Sequence, residues 1–268
     1  MAFVNPVANA VTPDPAVEQM LQPYREALAP IMNTVIGYSD KRILRADSCG
    51  RTDGRLCESL VGNVITDAMR LRYNADFAIT NSGGIRAELT CPGTAPAPDF
   101  CSTFAPPPYQ ITRGRSYTVL PFGNFAMTLD VTGAELEQLL EFGVSQMPSA
   151  VGIFQQVSGL CFTYDVSLAA GRRVTSVVWQ NANGSCSADP VDLSAGVTYT
   201  IVENDFMLAG GEGHPVWIDR AASDGATLEQ VLAEYMMGFT AEHPISPTIQ
   251  GRIVCTSSGA TSCPVPVP

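Results

Sequence analysis

The stretch Asn81-Ser82-Gly83-Gly84-Ile85-Arg86 decides how the rest of this chain is interpreted. It follows an apolar run, Ala75 to Thr80, that predicts a buried strand. Two adjacent glycines permit positive φ angles and let a bound group approach the main chain closely. Asn81 offers such a group an amide, and Arg86 offers a rigid guanidinium fork. A plain glycine turn with an exposed arginine would have the same local sequence, so the other motifs of the chain have to separate the two interpretations.

The composition restricts the classes of function open to the chain. Its 268 residues are 46% hydrophobic and 15% charged, enough to bury one large core or two small ones. Its 26 acidic and 15 basic residues give a net charge of −11, which argues against nucleic acid or an anionic membrane as a partner. A small anionic ligand is compatible with this charge, because a few placed arginines suffice to bind it. No apolar run is long enough to span a membrane, and the first fifteen residues lack a signal-peptide pattern.

The cysteines indicate disulfides rather than a zinc cluster. No Cys-x-x-Cys spacing occurs, and His214 and His243 are the two histidines of the sequence. The even count of eight predicts four disulfides in an oxidising compartment, so we expect a secreted, periplasmic or cell-surface protein. Spacing does not fix the connectivity, and pairing between sequence neighbours is a hypothesis: Cys49–Cys57, Cys91–Cys101, Cys161–Cys186 and Cys255–Cys263.

Capping and periodicity predict four helices. Asp14-Pro15 supplies an N-cap and a first-turn proline, and Pro23 and Pro30 should kink or break the helix that follows. The other three helices are predicted after these N-cap residues, the last two in capping boxes: Ser59, Thr132 and Thr227.

The predicted strands do not alternate regularly with these helices. They cover residues 75–80, 116–120, 125–131, 153–157, 159–164, 174–179, 198–202 and 251–254. Because strict β-α-β alternation is missing, the sequence predicts an α+β fold with a mixed β-sheet flanked by helices.

Four motifs along the chain resemble those of the C-terminal domain of the 5′-nucleotidase family, the secreted or periplasmic nucleotidases and UDP-sugar hydrolases. In chain order they are Glu58-Ser59-x-x-Gly62-Asn63-x-x-x-Asp67-Ala68, Asn81-x-Gly83-Gly84-Ile85-Arg86, Leu120-Pro121-Phe122-Gly123-Asn124 and Asn204-Asp205-Phe206-x-x-x-Gly210-Gly211-x-Gly213. Each motif is weak alone, but four in register over about 150 residues make a chance match improbable. The resemblance covers the chain from its first helix to Val254.

The resemblance implies a two-domain enzyme that hydrolyses nucleotides to nucleosides and phosphate. In that family an N-terminal domain carries two divalent metal ions, whose activated water attacks the phosphate. The C-terminal domain binds the nucleoside. We therefore expect residues 1–36 to form a connector helix to such a metallophosphoesterase domain in cis, residues 37–255 to form the C-terminal domain, and residues 256–268 to form a flexible tail.

The resemblance also implies a nucleotide-binding role for individual residues. Asn81 and Arg86, with Gly84 between them, match loop residues that bond the nucleotide, and Phe122 matches an aromatic residue that stacks on the base. Asn124 is expected to contact the base edge, Arg55 the phosphate or the ribose, and Asp219 the ribose.

His214 departs from the family pattern. After the glycine-rich turn the family commonly has Phe or Tyr, which forms the second face of a base sandwich. An imidazole can stack but offers less surface than a phenyl ring. Either His214 stacks with weaker affinity, or Trp217 replaces it, or the preferred substrate differs, or His214 is a loop residue without a ligand role.

The chain does not contain the ligands of a two-metal centre. Two histidines cannot supply such a site, so we expect no catalytic residue, no metal and no cofactor in this chain, and no phosphate-ester hydrolysis by it alone. Two other functions stay open: a stand-alone nucleoside-binding module, and a non-catalytic, disulfide-stabilised extracellular domain whose pocket is vestigial. Composition does not separate these from the domain of a larger hydrolase.

Overall fold

Helices and strands of the protein are given by a computed structural model, which describes residues 12–93 and 100–265. The helices in the described residues are α1 Pro15–Met32, α2 Leu60–Tyr73, α3 Arg113–Val119, α4 Gly133–Val144, α5 Asp205–Leu208 and α6 Leu228–Met236. The strands are β1 Val35–Ser39, β2 Phe77–Asn81, β3 Tyr109–Thr112, β4 Ala126–Thr132, β5 Gln155–Ser158, β6 Leu160–Asp165, β7 Val174–Gln180, β8 Cys186–Pro190, β9 Thr198–Asn204 and β10 Ile253–Thr256. Three 3₁₀ turns span Ser82–Gly84, Gly211–Gly213 and Ile218–Arg220.

A mixed sheet with the strand order β4-β9-β2-β5 lies at the centre of the fold. The pair β9–β2 is parallel, and the pairs β4–β9 and β2–β5 are antiparallel. A second mixed sheet has the order β10-β6-β7-β8, and β1 pairs with β3 in a short antiparallel ribbon. These sheets confirm the predicted α+β fold with mixed sheets and flanking helices.

The hydrophobic core covers both faces of the central sheet, because side chains alternate along each strand. On one face Ala78 and Val202 belong to a buried cluster formed with α2 and α6. On the other face Phe77, Ile79 and Ile201 belong to a second cluster, formed with α4 and the second sheet. All five residues of β2 are buried, so the loop that follows β2 starts from a fixed point.

Several elements differ from the sequence prediction. Residues 116–120 were expected to be a strand, but α3 covers most of them, because the Thr112 side chain caps this helix by accepting a hydrogen bond from the Arg115 amide. The prolines at 23 and 30 do not break the first helix, because α1 runs continuously from Pro15 to Met32, and the predicted kink stays a prediction. Strands β1, β3 and β8 have no counterpart in the sequence prediction.

Four disulfides cross-link the described residues, and one of them, Cys161–Cys186, joins strands β6 and β8. The four bonds connect the neighbouring cysteines as hypothesised: Cys49–Cys57, Cys91–Cys101, Cys161–Cys186 and Cys255–Cys263. The last bond closes a turn after β10 in which the Ser258 amide donates to the Asp165 carboxylate at 3.0 Å.

Helix α1 has no buried residue. Within the described residues, no helix is long and apolar enough to cross a membrane.

A buried polar network joins α2, β5 and the segment before β10. The Glu58 carboxylate, 2% exposed, accepts hydrogen bonds from the Asn63 side chain (2.6 Å) and from the backbone amides of Gln250 (2.7 Å) and Arg252 (2.8 Å). The Arg252 side chain, 1% exposed, donates to Asp67 (2.7 Å) and to the Val157 carbonyl (2.8 Å). Glu58 and Arg252 therefore both have hydrogen-bond partners, and a buried charge is tolerated only when it has such partners.

We predict that Glu58→Ala destabilises the protein by about 3 kcal/mol or more, because it leaves the backbone amides of Gln250 and Arg252 without an acceptor and removes one of the two acceptors of the Asn63 side chain. Urea unfolding followed by tryptophan fluorescence measures this change. Glu242→Ala, at an exposed position, is the control and should change the free energy of unfolding by less than about 0.5 kcal/mol. Equal stability of the two variants would contradict the role assigned to Glu58.

A second buried carboxyl group, that of Glu203, lies in β9. It is 1% exposed, and its Oε1 has no hydrogen-bond partner among the described residues. Burial raises the pKa of Glu203 to about 8. The folded state therefore keeps this proton between about pH 4.5 and pH 8 while the unfolded state releases it, so Glu203 makes stability fall as the pH rises through this window.

We predict that Glu203→Gln makes the free energy of unfolding less dependent on pH between about 5 and 8. The variant should match the parent within about 1 kcal/mol at about pH 5 and exceed it by about 2–4 kcal/mol at about pH 8. Chemical denaturation at several pH values across this window provides the measurement. Parallel pH curves for parent and variant would show that Glu203 is ionised in the folded protein throughout.

Candidate functional site

A cleft of about 410 Å³ lies where four loops meet at one end of the central sheet. Six of the eight residues for which the sequence predicted a binding role line it: Arg55, Asn81, Gly84, Arg86, Phe122 and Asn124. Gly83, Phe206 and Glu212 complete the lining. Three of the four motifs that carry the family resemblance, the second, third and fourth, are thus brought together in space.

The loop after β2 forms the floor of the cleft. Asn81 is 3% exposed; its Oδ1 accepts a hydrogen bond from the Asn204 side chain at 3.2 Å, and its Nδ2 lies 3.5 Å from Glu212 Oε2. Gly83 and Gly84 do not use positive φ angles. Their role is spatial: a Cβ on Gly84 would lie 3.3 Å from Asn81 Oδ1, and one on Gly83 would lie 3.1 Å from the Cα of Gly152.

Two exposed phenylalanine rings line this cleft. Phe122 is 61% exposed in the turn before β4, where Gly123 has a φ of 66°. Phe206 is 42% exposed in α5, which begins at the N-cap Asn204 directly after β9. The Asn124 side chain donates to Asp205 at 2.8 Å and ties the two turns together. Exposed aromatic rings that share a concave surface are typical of ligand-binding sites.

Arginines give one side of the cleft a positive charge. Arg55 and Arg86 line it, and Arg45 lies close to both. Partial burial, and then repulsion by the charges of Arg86 and Arg55, lower the pKa of Arg45. Nε of Arg45 and Nε of Arg55 are buried without a hydrogen-bond partner among the described residues. An anion placed among these three groups would relieve their repulsion and supply an acceptor.

His214 and Asp219 do not line this cleft. His214 is 3% exposed, packs on Phe142 with 4.6 Å between ring centroids, and has its Nδ1 2.7 Å from the Gly211 carbonyl oxygen. Burial lowers the pKa of His214. Asp219 lies in the turn Ile218–Arg220, and the Trp217 ring lies 5.4 Å from the Arg220 guanidinium. The binding roles of His214 and Asp219 stay predictions.

Phe206 and Glu212 are lining residues to which the sequence analysis gave no role. Both lie inside the fourth motif, so the signal was present. Phe206 follows the N-cap Asn204 at the end of a buried strand, which places it at the same edge of the sheet as Asn81. Glu212 has a φ of 53°, and this left-handed conformation turns its side chain toward Asn81 and Gly152.

The described residues do not fit a two-metal centre. Among residues 12–93 and 100–265, no group of three or more His, Cys, Asp or Glu side chains could hold a metal ion.

A larger opening of about 620 Å³ lies beside α4 and has the opposite charge. Glu137 and Glu141 line it, and no arginine or lysine of the described segments does. Its carboxylates disfavour an anionic ligand. The smaller cleft, which combines exposed phenylalanine rings with arginines, is therefore the better candidate for binding an anion that carries an aromatic group.

Comparison with known proteins identifies the family of this chain. The family model described as "5′-nucleotidase, C-terminal domain" matches residues 35–219. The chain is 30% identical over 259 residues to the trifunctional nucleotide phosphoesterase protein YfkN of Bacillus subtilis, covering 93% of this chain and 16% of that protein. It is also 30% identical over 215 residues to cell wall protein Lmo0130 of Listeria monocytogenes, covering 76% of this chain and 24% of that protein.

Among solved structures, the fold is similar to that of a 5′-nucleotidase precursor from Thermus thermophilus. The TM-score is 0.71 at 29% sequence identity, and the match covers 91% of this chain and 44% of that one. The chain spans less than half the length of each of these three relatives. The matched family model, which covers more than half of the residues, establishes that this chain belongs to the 5′-nucleotidase family, as a C-terminal domain.

Proposed function

We propose that this chain is the nucleotide-binding domain of a 5′-nucleotidase-type phosphoesterase, and that it presents nucleotides to a two-metal hydrolytic domain in cis. The observation that carries the proposal is the shared cleft of Phe122 and Phe206, with arginines on one side. The names of the relatives, which include a nucleotide phosphoesterase and a 5′-nucleotidase precursor, support this substrate class.

The two phenylalanine rings are the proposed binding site for the base. Phe122 takes one face and Phe206 the other, in place of the expected His214 or Trp217. Both rings are exposed, so stacking would remove apolar surface from water. Stacking of a base on an aromatic ring contributes about 1–3 kcal/mol. Asn124, held by its hydrogen bond to Asp205, is in a position to bond the base edge.

Polar side chains beyond the rings are the proposed site for sugar and phosphate. Glu212 and Asn81 form the polar end of the lining and suit the hydroxyl groups of a ribose. Arg55 and Arg86, with Arg45 behind them, suit a phosphate, since arginine binds phosphate oxygens in a bidentate manner. In a chain with a net charge of −11, these arginines also offset the repulsion of an anionic substrate.

The proposed reaction belongs to the whole two-domain protein. Hydrolysis of the phosphate ester requires the metal ions of the other domain, and the chain by itself should bind nucleotide without turnover. The intact cleft favours this function over a disulfide-stabilised domain with a vestigial pocket. Four disulfides favour a location outside the cell or at its surface, and Lmo0130, named a cell wall protein, is consistent with it.

We predict that the oxidised chain binds adenosine and AMP, and that Phe122→Ala and Phe206→Ala each weaken binding about tenfold or more. Isothermal titration calorimetry on the purified chain measures this. Because Phe122 and Phe206 are largely exposed, both substitutions should change the melting temperature by no more than about 2 °C.

Phe125→Ala is the matched control, since Phe125 is 44% exposed but does not line the cleft. It should leave the affinity for adenosine within about twofold of the parent. Absence of binding by the parent, or equal losses in all three variants, would contradict the proposed site. A loss in His214→Ala larger than in Phe206→Ala would instead return the second stacking face to His214.

A further inference from the structure

Gly152, in the loop before β5, lies directly against the carboxylate of Glu212. A Cβ atom on Gly152 would lie 2.5 Å from Oε1 and 2.8 Å from Oε2 of that side chain. Both distances are shorter than a carbon–oxygen contact allows. The carboxylate of Glu212 therefore occupies the space that a side chain at position 152 would fill.

The same glycine also supports the floor of the cleft. Its carbonyl oxygen accepts a hydrogen bond from the Gly83 amide at 2.9 Å. Gly152 thus lies between the loop that carries Asn81 and the turn that carries Glu212, and it contacts both. The two loops contribute the polar lining opposite the phenylalanine rings.

The backbone conformation of Glu212 sets the direction in which its side chain leaves the turn. Its φ of 53° and ψ of 16° are unfavourable for a residue with a side chain and are kept only where the surroundings impose them. From this backbone position the side chain reaches Gly152 on one side and Asn81 Nδ2, at 3.5 Å from Oε2, on the other. A Cβ at residue 152 would therefore displace the carboxylate from this place.

We propose that Gly152 is a positioning residue that gives the cleft its selectivity for ligands with free sugar hydroxyls. Because Gly152 has no side chain, the Glu212 carboxylate can lie at the polar end of the cleft. There each of its two oxygens can accept a hydrogen bond from one of two vicinal hydroxyl groups. This inference rests on the proposed function of the cleft. It adds the preferred ligand class, ribonucleosides and ribonucleotides over their 2′,3′-dideoxy counterparts, and the residue that sets the preference.

Gly152→Ala tests this role without damage to the fold. The backbone of Gly152 does not use a positive φ, so alanine can adopt it, and the atoms in its way are the ends of an exposed, flexible side chain. The methyl group should push the carboxylate aside. We expect the affinity for adenosine to fall about tenfold, the affinity for 2′,3′-dideoxyadenosine to change less than about twofold, and the melting temperature to stay unchanged.

Two further variants make the test specific. Gly196→Ala is the matched control, because a Cβ there meets no atom closer than 3.7 Å, and it should change neither affinity. In a Glu212→Ala background, Gly152→Ala should have no additional effect, since its action passes through Glu212.

The outcomes separate this inference from the proposed function. If the parent chain binds adenosine and Gly152→Ala weakens both ligands equally, or neither, the positioning role is refuted while the nucleotide site stands. An additional loss from Gly152→Ala in the Glu212→Ala background refutes it as well. If the parent binds no nucleoside at all, the proposed function and this inference fail together.

Discussion

The geometry of this domain depends most on the hydrogen bonds of two buried charged groups, the Glu58 carboxylate and the Arg252 guanidinium. They join the start of α2, strand β5 and the segment before β10 through hydrogen bonds of 2.6–2.8 Å. Gln156, in β5, extends this arrangement, because its side-chain amide donates to both the Cys57 carbonyl and the Ser82 hydroxyl. The loop that begins at Asn81 is thus held from beneath by a network that is costly to open.

The cleft next to this buried network brings apolar, acidic and basic groups together in a small volume. Exposed phenylalanine rings, a buried amide, one carboxylate and converging arginines share about 410 Å³. Several of these groups are suboptimal for stability: the rings are in water, the arginines repel one another, and Nε of Arg45 and of Arg55 lack acceptors among the described residues. Such local conflicts are expected where a fold is maintained for binding. A nucleotide is a ligand class that would satisfy all of them together.

The sequence predicted the parts of this molecule that depend on local physics. Helix starts at Ser59, Thr132 and Thr227 follow from capping, and the disulfides join neighbouring cysteines. Helix α3 escaped prediction because its seven residues are too few for a periodic pattern and its cap lies in a strand. Phe206 and Glu212 were overlooked for a geometric reason. The left-handed angles of Glu212 and of the glycine after it redirect the chain, so that the next residue, His214, turns inward and residues before it reach the cleft.

The most direct test of the proposed site is a crystal structure of the oxidised chain with bound AMP. We expect the adenine ring between Phe122 and Phe206, the ribose hydroxyls at Glu212, and the phosphate beside Arg55 and Arg86. A nucleotide bound beside α4, or a base stacked on His214 with no contact to Phe206, would contradict this arrangement.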